Sequence, residues 1–140
     1  MKKILLLLIA SLMSCTDHAI DDLSSKFVGE YAVWSEEQFS TQKTSIQITA
    51  RDINHVDFMY LSHWEYWDGR PWEDITIEAN NVLVESRGDT LRFNNDCIHN
   101  GVNGRITGTF VRPGNGFAFY DLKVIKNGTV AFQEKADVLD

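Results

Sequence analysis

The sequence has few cysteines and no cluster of basic residues, and both shortages restrict what the protein can be. Its two cysteines are Cys15 and Cys97, and Cys15 ends the apolar N-terminal segment. Because Cys15 lies in an N-terminal segment that we expect to be separate from the folded domain, Cys97 has no partner for an intramolecular disulfide. We therefore expect Cys97 to be a buried, weakly reactive thiol. The 13 Lys and Arg residues are outnumbered by 20 Asp and Glu residues, for a formal net charge of -7. Because nucleic acids and anionic lipid surfaces are bound through Lys/Arg clusters, this composition argues against both partners.

The sequence also lacks the motifs that accompany common enzymes and metal sites. It contains no Gly-x-Ser-x-Gly, no glycine-rich phosphate loop and no His-Glu-x-x-His. The four histidines do not fall at metal-ligand spacings, and Cys97 with His99 offers two ligands where zinc takes three or four. Residues 94–103 are rich in oxygen ligands without the spacing of a calcium loop, which predicts an irregular surface loop. We therefore expect a non-enzymatic protein without a metal or cofactor.

No apolar run is long enough to cross a bilayer, which takes roughly 20 residues. Residues 1–14 instead combine two lysines with a short apolar run and predict a secretory signal peptide. Leu12-Met13-Ser14-Cys15 resembles the lipobox of bacterial lipoproteins. The resemblance implies cleavage before Cys15, a diacylglycerol on its sulfur and an acyl chain such as palmitate on the new amino group. Thr16, in place of an aspartate, implies sorting to the outer membrane.

Residues 15–26 are expected to be the lipidated cysteine and a tether, because they are polar and show no strand alternation. As a flexible coil, the eleven residues after Cys15 would span about 17–20 Å. The domain that follows would therefore lie close to the membrane.

Residues 27–140 show a dominant period of two, with turn-forming residues at short intervals and no amphipathic helix. Apolar and polar residues alternate, so one face of each strand is expected in the core. The pattern predicts an all-β domain, an antiparallel up-and-down meander of eight or nine strands that closes as a barrel, with a β-sandwich as the alternative. The predicted strands are 27–34, 44–51, 55–62, 74–79, 82–86, 90–93, 104–111, 117–125 and 129–138.

Parts of this chain resemble a known group of proteins. Phe-Val-Gly-Glu-Tyr at 27–31 is similar to the Gly-x-Trp start of lipocalin-like (calycin-type) barrels, with Tyr31 in place of the tryptophan. The patterns of 48–58, 75–84 and 103–110 resemble small lipocalin-like lipoproteins of Bacteroidetes-type Gram-negative bacteria, most of which have no assigned activity. The resemblance implies a barrel, although the chain ends on a strand-like segment rather than on the C-terminal helix of true lipocalins.

The most unusual stretch, residues 63–74, is called here the aromatic segment. It holds three of the four tryptophans and four carboxylates. Flat indole rings stack on sugar rings and anchor protein interfaces, whereas the alternative is that the tryptophans fold back and plug the open end of the barrel. Both hypotheses stay open for the candidate binding residues Trp64, Tyr66, Trp67, Asp68, Arg70 and Trp72.

Two functions follow from these patterns. The first is a membrane-anchored, non-enzymatic binding module of the cell envelope that takes a small apolar or saccharide ligand near the barrel mouth. The alternative is an envelope lipoprotein that docks on, or inhibits, another protein through the aromatic segment. The first requires an open interior, whereas the alternative requires a filled interior and exposed tryptophans. The residues expected to line the interior are Phe58, Tyr60, Ile77, Phe93 and Phe110.

Overall fold

The computed structural model describes residues 22–85, 88–113 and 117–139. The predicted signal peptide, Cys15 and Thr16 lie outside the described residues. The described chain forms a short 3-10 helix, Ser24–Lys26, and eight strands. The strands are β1 (Gly29–Glu37), β2 (Ser40–Ala50), β3 (His55–Tyr66), β4 (Glu73–Val84), β5 (Thr90–His99), β6 (Val102–Val111), β7 (Phe117–Lys126) and β8 (Thr129–Leu139).

Each strand pairs antiparallel with the next along the chain, and β1 pairs with β8 to close the barrel. The predicted all-β fold and up-and-down meander are confirmed, and the alternative sandwich is not formed. The closing contact is short, with Ala32 opposite Leu139 as its one pair among the described residues. Within the described ranges, no helix is long and apolar enough to cross a membrane.

The predicted strands 74–79 and 82–86 imply a turn at Asn80 and Asn81, and this prediction is wrong because β4 runs through both residues. The strand absorbs them in a β-bulge, seen as a shift in register between Ala79 and Leu83. Asn81 has a φ of 60°, and its backbone N–H donates to Asp57 Oδ1 at 3.0 Å. Asparagine tolerates this left-handed conformation inside a bulge as well as in a turn. Nine predicted strands therefore become eight.

The predicted irregular loop at residues 94–103 is also wrong. β5 and β6 continue through this stretch and meet at a two-residue turn, where Asn100 has a φ of 49° and Gly101 a φ of 74°. Two consecutive positive φ angles are typical of the tight turns that join antiparallel strands. The polar side chains of this stretch face solvent, while Cys97 and His99 point inward.

The core lies inside the barrel and follows the predicted alternation of apolar and polar residues at most positions. The alternation places Ala50 and Val130 on the inner face of their strands, but both are exposed. On β7, Tyr120, Leu122 and Val124 are fully buried. Cys97 is buried, as predicted, and burial raises the pKa of its thiol above the ordinary value.

The residues before β1 cover one end of the barrel. Ser24 and Phe27 have no exposed surface, and the backbone N–H of Ser24 donates to Ile53 O at 3.1 Å. The Phe27 ring packs edge-on against Phe110, with centroids 6.4 Å apart. The last residues of the predicted tether are thus packed on the barrel. The opposite end, here called the mouth, is surrounded by the four hairpins that join β1 to β2, β3 to β4, β5 to β6 and β7 to β8.

Candidate functional site

The aromatic segment forms the end of β3, a hairpin and the start of β4, and its tryptophans differ in burial. Trp64 is half-buried on the inward face of β3, opposite Gln42 of β2. Trp67 is 61% exposed and Trp72 is 70% exposed. Of these three tryptophans, only Trp64 lies in the mouth, as the plug hypothesis requires. The indoles of Trp67 and Trp72 are exposed to solvent.

The hairpin between β3 and β4 is held by contacts among its own side chains. The Arg70 guanidinium lies 4.3 Å from the centre of the Tyr66 ring, and its Nε donates to Asp68 Oδ2 at 2.7 Å. The backbone N–H of Trp67 donates to Phe39 O at 2.9 Å, which fixes this hairpin to the one between β1 and β2. Tyr66, Asp68 and Arg70 therefore shape the hairpin that carries Trp67.

A row of four outward side chains crosses β1 to β4 beside the hairpin. The strand register places Trp34 opposite Lys43, Lys43 opposite His63, and His63 opposite Asp74. Neighbouring strands lie about 4.8 Å apart, so the four residues form a band about 15 Å long around the outside of the barrel. Residues from four strands thus meet on one surface.

Contacts link the members of this row to one another and to Trp72. Lys43 Nζ lies 5.2 Å from the centre of the Trp34 ring, and the centres of the His63 and Trp72 rings are 5.7 Å apart. The His63 imidazole bonds Asp74 Oδ1 through Nδ1 at 2.5 Å. This bond, together with the charge of Asp74, raises the pKa of His63 above its ordinary value. A protonated His63 would hold Asp74 on one side and contact the tilted Trp72 ring on the other.

An open groove of about 550 Å³ runs along this band, and we call it the outer groove. Its apolar members include Trp34, 63% exposed, and Leu61, 37% exposed. Sequence patterns pointed to the aromatic segment but not to Trp34, Lys43 or Leu61, which reach it only through the strand register. The sequence signal that could have identified Trp34 and Leu61 is that both are large apolar residues at outward positions, where the alternation of their strands otherwise places polar residues. The groove is lined by Ala32, Val33, Trp34, Lys43, Thr44, Ser45, Leu61, Ser62, His63, Asp74, Ile75 and Thr76.

A second group of polar side chains lies inside the barrel toward the mouth, and we call it the interior cluster. Its centre is Glu134 of β8, which accepts hydrogen bonds from Tyr60 OH at 2.7 Å, from Gln42 Nε2 at 3.0 Å and from Tyr120 OH. Burial raises the pKa of both tyrosines, so both remain protonated donors. The remaining members are Thr44 and Ser62, whose hydroxyls lie 2.9 Å apart.

The alternation of β8 contained a sign of this cluster. Phe132, Ala136 and Val138 point inward, and Glu134 occupies the same face between them. A carboxylate on an apolar face must find partners in the interior. The partners themselves could not be identified from sequence, because they come from β2, β3 and β7.

The apolar half of the interior is filled by side chains. The five residues expected to line an open barrel are between 0% and 2% exposed. The Phe58 and Phe93 rings pack edge-on with centroids 4.8 Å apart. A cavity large enough for water would leave these side chains exposed, so this region has no space for an apolar ligand.

No protein-family model, curated protein or solved structure matches this chain. Among the described residues, no group of three or more His, Cys, Asp and Glu side chains could hold a metal ion.

Proposed function

We propose that the protein is a membrane-anchored, non-enzymatic binding module of the cell envelope that docks on a partner protein through the outer groove and the adjoining hairpin. The observation that carries this proposal is the exposure of Trp34, Trp67 and Trp72 on a barrel whose apolar half is filled. Tryptophan is among the residues that contribute most binding energy at protein interfaces. A packed interior gives such a surface a rigid support.

The surface is also preorganised. The backbone bond from Trp67 to Phe39 fixes the hairpin that carries Trp67, and the Trp72 indole already lies against the His63 ring before a partner arrives. Groups that are already ordered lose less conformational entropy on binding. Leu61 and Trp34 provide further apolar area in the groove between them.

Charge indicates the kind of partner. Asp74 lines the groove, and four further carboxylates lie in the aromatic segment or near the end of β1, against the two cations Lys43 and Arg70. Both cations already lie against aromatic rings of this protein. We therefore infer a partner with an apolar centre and a basic rim, because complementary charges at a rim accelerate association and weaken with salt. The carboxylates are Glu36, Glu65, Asp68, Glu73 and Asp74.

The location of the module rests on the N-terminal sequence. The lipobox-like residues imply an outer-membrane lipoprotein with several acyl chains, and such chains stabilise an anchor by about 0.8 kcal/mol per buried methylene. The resemblance to lipocalin-like lipoproteins implies a barrel, and the eight-stranded meander agrees with it. This agreement supports the proposal that the chain is related to those lipoproteins.

A pull-down from solubilised envelopes tests the proposal. The anchored wild-type protein is compared with the double variant Trp34→Ala/Trp72→Ala and with Phe119→Ala, a control on β7, where Phe119 is 42% exposed. A partner that docks here is retained by the wild type and the control and lost by the double variant. The purified partner should then bind the double variant at least about 100-fold more weakly, because two central aromatic anchors are removed. Equal retention by all three proteins would contradict the proposal.

A further inference from the structure

The barrel is weakly closed along the line between β1 and β8, called here the seam. The two strands share a single pair among the described residues, Ala32 opposite Leu139, toward the end of the barrel away from the mouth. Each is paired along its length on its other side, β1 with β2 and β8 with β7. Antiparallel pairing would continue from Ala32 and Leu139 toward the mouth, but the described parts of the two strands form no further pair. The edge of β8 from Thr129 to Val138 is therefore unpaired on the seam side.

Solvent reaches inward-pointing side chains through the seam. Toward the mouth, the inward side chains of the two seam strands are partly exposed, whereas the residues paired with them on β2 and β7 are buried. Entry of solvent through the mouth would expose both groups at the same level, so the opening is the seam itself. The partly exposed residues are Val33, Ser35, Phe132, Glu134 and Ala136, and the buried residues opposite them are Thr44, Gln42, Val124, Leu122 and Tyr120.

The free edge of β8 has little of the protection that proteins usually give to such an edge. Exposed edges are commonly short, or carry bulges, prolines, lysines or inward charges, because their unpaired N–H and C=O groups otherwise recruit another strand. β8 has eleven residues with no proline and one lysine, Lys135, and its register irregularity lies at the mouth end, between Val130 and Phe132. Its inward carboxylate, Glu134, is already bonded by three donors inside the barrel. The edge is therefore open to a further strand.

The side chains beside the seam indicate which strand would fit. Successive residues of an added strand would point alternately to the inner and the outer face. On the inner face they would meet Phe132, which is apolar and partly exposed. On the outer face they would meet the carboxylates of Asp137 on β8 and Glu36 on β1, since the cation of this edge, Lys135, lies 3.8 Å from Asp121 of β7. The matching segment alternates apolar residues with lysine or arginine.

A second copy of this chain fits the edge less well than a different protein does. Antiparallel pairing of β8 with the β8 of another copy would place the two N-terminal segments at opposite ends of the pair, about 36 Å apart. A coiled tether of about 17–20 Å would not bring both copies to one membrane. Parallel pairing would set the inner face of one barrel beside the outer face of the other.

We propose that the free edge of β8 binds an extended segment of a partner protein as an additional strand, and that this segment alternates apolar and basic residues. Backbone hydrogen bonds along the edge would supply affinity, and the alternating side chains would supply specificity. Trp34 of the outer groove lies on β1, across the seam, so one partner can contact both surfaces. The inference rests on the proposed function in that its occupant is a partner protein, but it concerns a different surface and is tested without that partner.

The test is amide hydrogen exchange, followed by NMR, on the ¹⁵N-labelled full-length protein in micelles of a neutral detergent. The probe is a synthetic peptide of alternating valine and lysine, about ten residues long to match the free edge of β8. We expect rapidly exchanging amides between Thr129 and Val138 to become at least about tenfold slower when the peptide binds. A control peptide with every backbone nitrogen methylated keeps the side chains and charge but cannot donate backbone hydrogen bonds. It should bind at least about tenfold more weakly.

Variants complete the test. Asp137→Lys should weaken binding of the peptide about threefold to fivefold, whereas Glu78→Lys, a matched charge reversal on β4 across the barrel, should leave it unchanged. Trp34→Ala/Trp72→Ala should also leave it unchanged, so a failure of docking at the outer groove is distinguishable from a failure here. Equal binding of the methylated peptide, or slowed exchange confined to the outer groove, would overturn the proposal. So would a protein that sediments as a dimer with the edge of β8 already protected, because a second copy would then cover it.

Discussion

Gln42 of β2 donates a hydrogen bond to Glu134 of β8 at 3.0 Å, and this contact spans β1 inside the barrel. It lies beside the seam at which β1 and β8 form a single pair among the described residues. Side-chain hydrogen bonds therefore help to stabilise the barrel at this seam, where few backbone pairs join the strands. Glu134 unites three donors from β2, β3 and β7, which makes it the centre of the mouth half of the barrel.

The first prediction concerns this carboxylate. Glu134→Leu should lower the free energy of unfolding by about 2–4 kcal/mol, because Tyr60 and Tyr120 would lose the carboxylate that accepts from their hydroxyls and Gln42 would lose one of its acceptors. Glu134→Gln keeps one acceptor oxygen and should cost about 1 kcal/mol. Urea unfolding followed by circular dichroism measures both. Glu36→Leu, an exposed carboxylate, is the control and should change stability by less than about 0.5 kcal/mol. An equally small effect of Glu134→Leu would show that the interior cluster does not stabilise the barrel.

The second prediction compares two glycines with positive φ. Gly108 of β6 has a φ of 129°, and a Cβ there would lie 1.9 Å from the backbone oxygen of Asp121. Gly108→Ala should therefore cost more than about 3 kcal/mol or prevent folding. Gly101 has a φ of 74° with no atom within 4 Å of a Cβ, so Gly101→Ala should cost only about 1 kcal/mol. Thermal melting of both variants measures the difference in stability. Similar melting temperatures would contradict the close approach of β6 and β7.

The third prediction separates two tryptophans of the aromatic segment. Trp64 is half-buried in the mouth, and Trp64→Ala should lower the free energy of unfolding by about 2–3 kcal/mol, less than the 3–5 expected for a fully buried ring. Trp67 is 61% exposed, and Trp67→Ala should change it by about 0.5 kcal/mol or less. Denaturant unfolding of the two variants measures the difference. Near-neutral stability of both would place Trp64 on the surface.

Much of the fold could be predicted because apolar and polar residues alternate along most of each strand, which identifies both the strand and its buried face. The two wrong elements share a cause, since asparagine suits turns, bulges and outward strand positions alike. Asn80 and Asn81 could not be assigned to a bulge without knowing the register of β4 against β5. The same dependence on strand register limited the prediction of the candidate site. The aromatic segment is contiguous in sequence and could be recognised, whereas Trp34 and Glu134 contact residues that are distant in sequence.

The fourth prediction concerns pH. The bond to Asp74 raises the pKa of His63 above its ordinary value of 6.5, so protonation of His63 favours the folded state. This stabilisation is fully present below pH 6.5 and is lost as the pH rises through the pKa of the folded protein. An NMR titration of the His63 ring should give a midpoint above 6.5. Asp74→Asn should lower the midpoint, and Glu65→Gln should lower it less, because Glu65 lies at 3.4 Å. A wild-type midpoint at or below 6.5 would contradict the ion pair.

Photo-crosslinking in intact cells tests the proposed docking surface most directly. A photoreactive amino acid is placed at Trp72, at Leu61 or, as the control on the opposite side of the barrel, at Phe119. The account predicts one discrete crosslinked protein from the positions of Trp72 and Leu61 and none from the control position. The yield should fall when Trp34→Ala is added, and in isolated envelopes it should fall with increasing salt. The same crosslinks from all three positions, or none from Trp72 and Leu61, would contradict a docking surface at the outer groove.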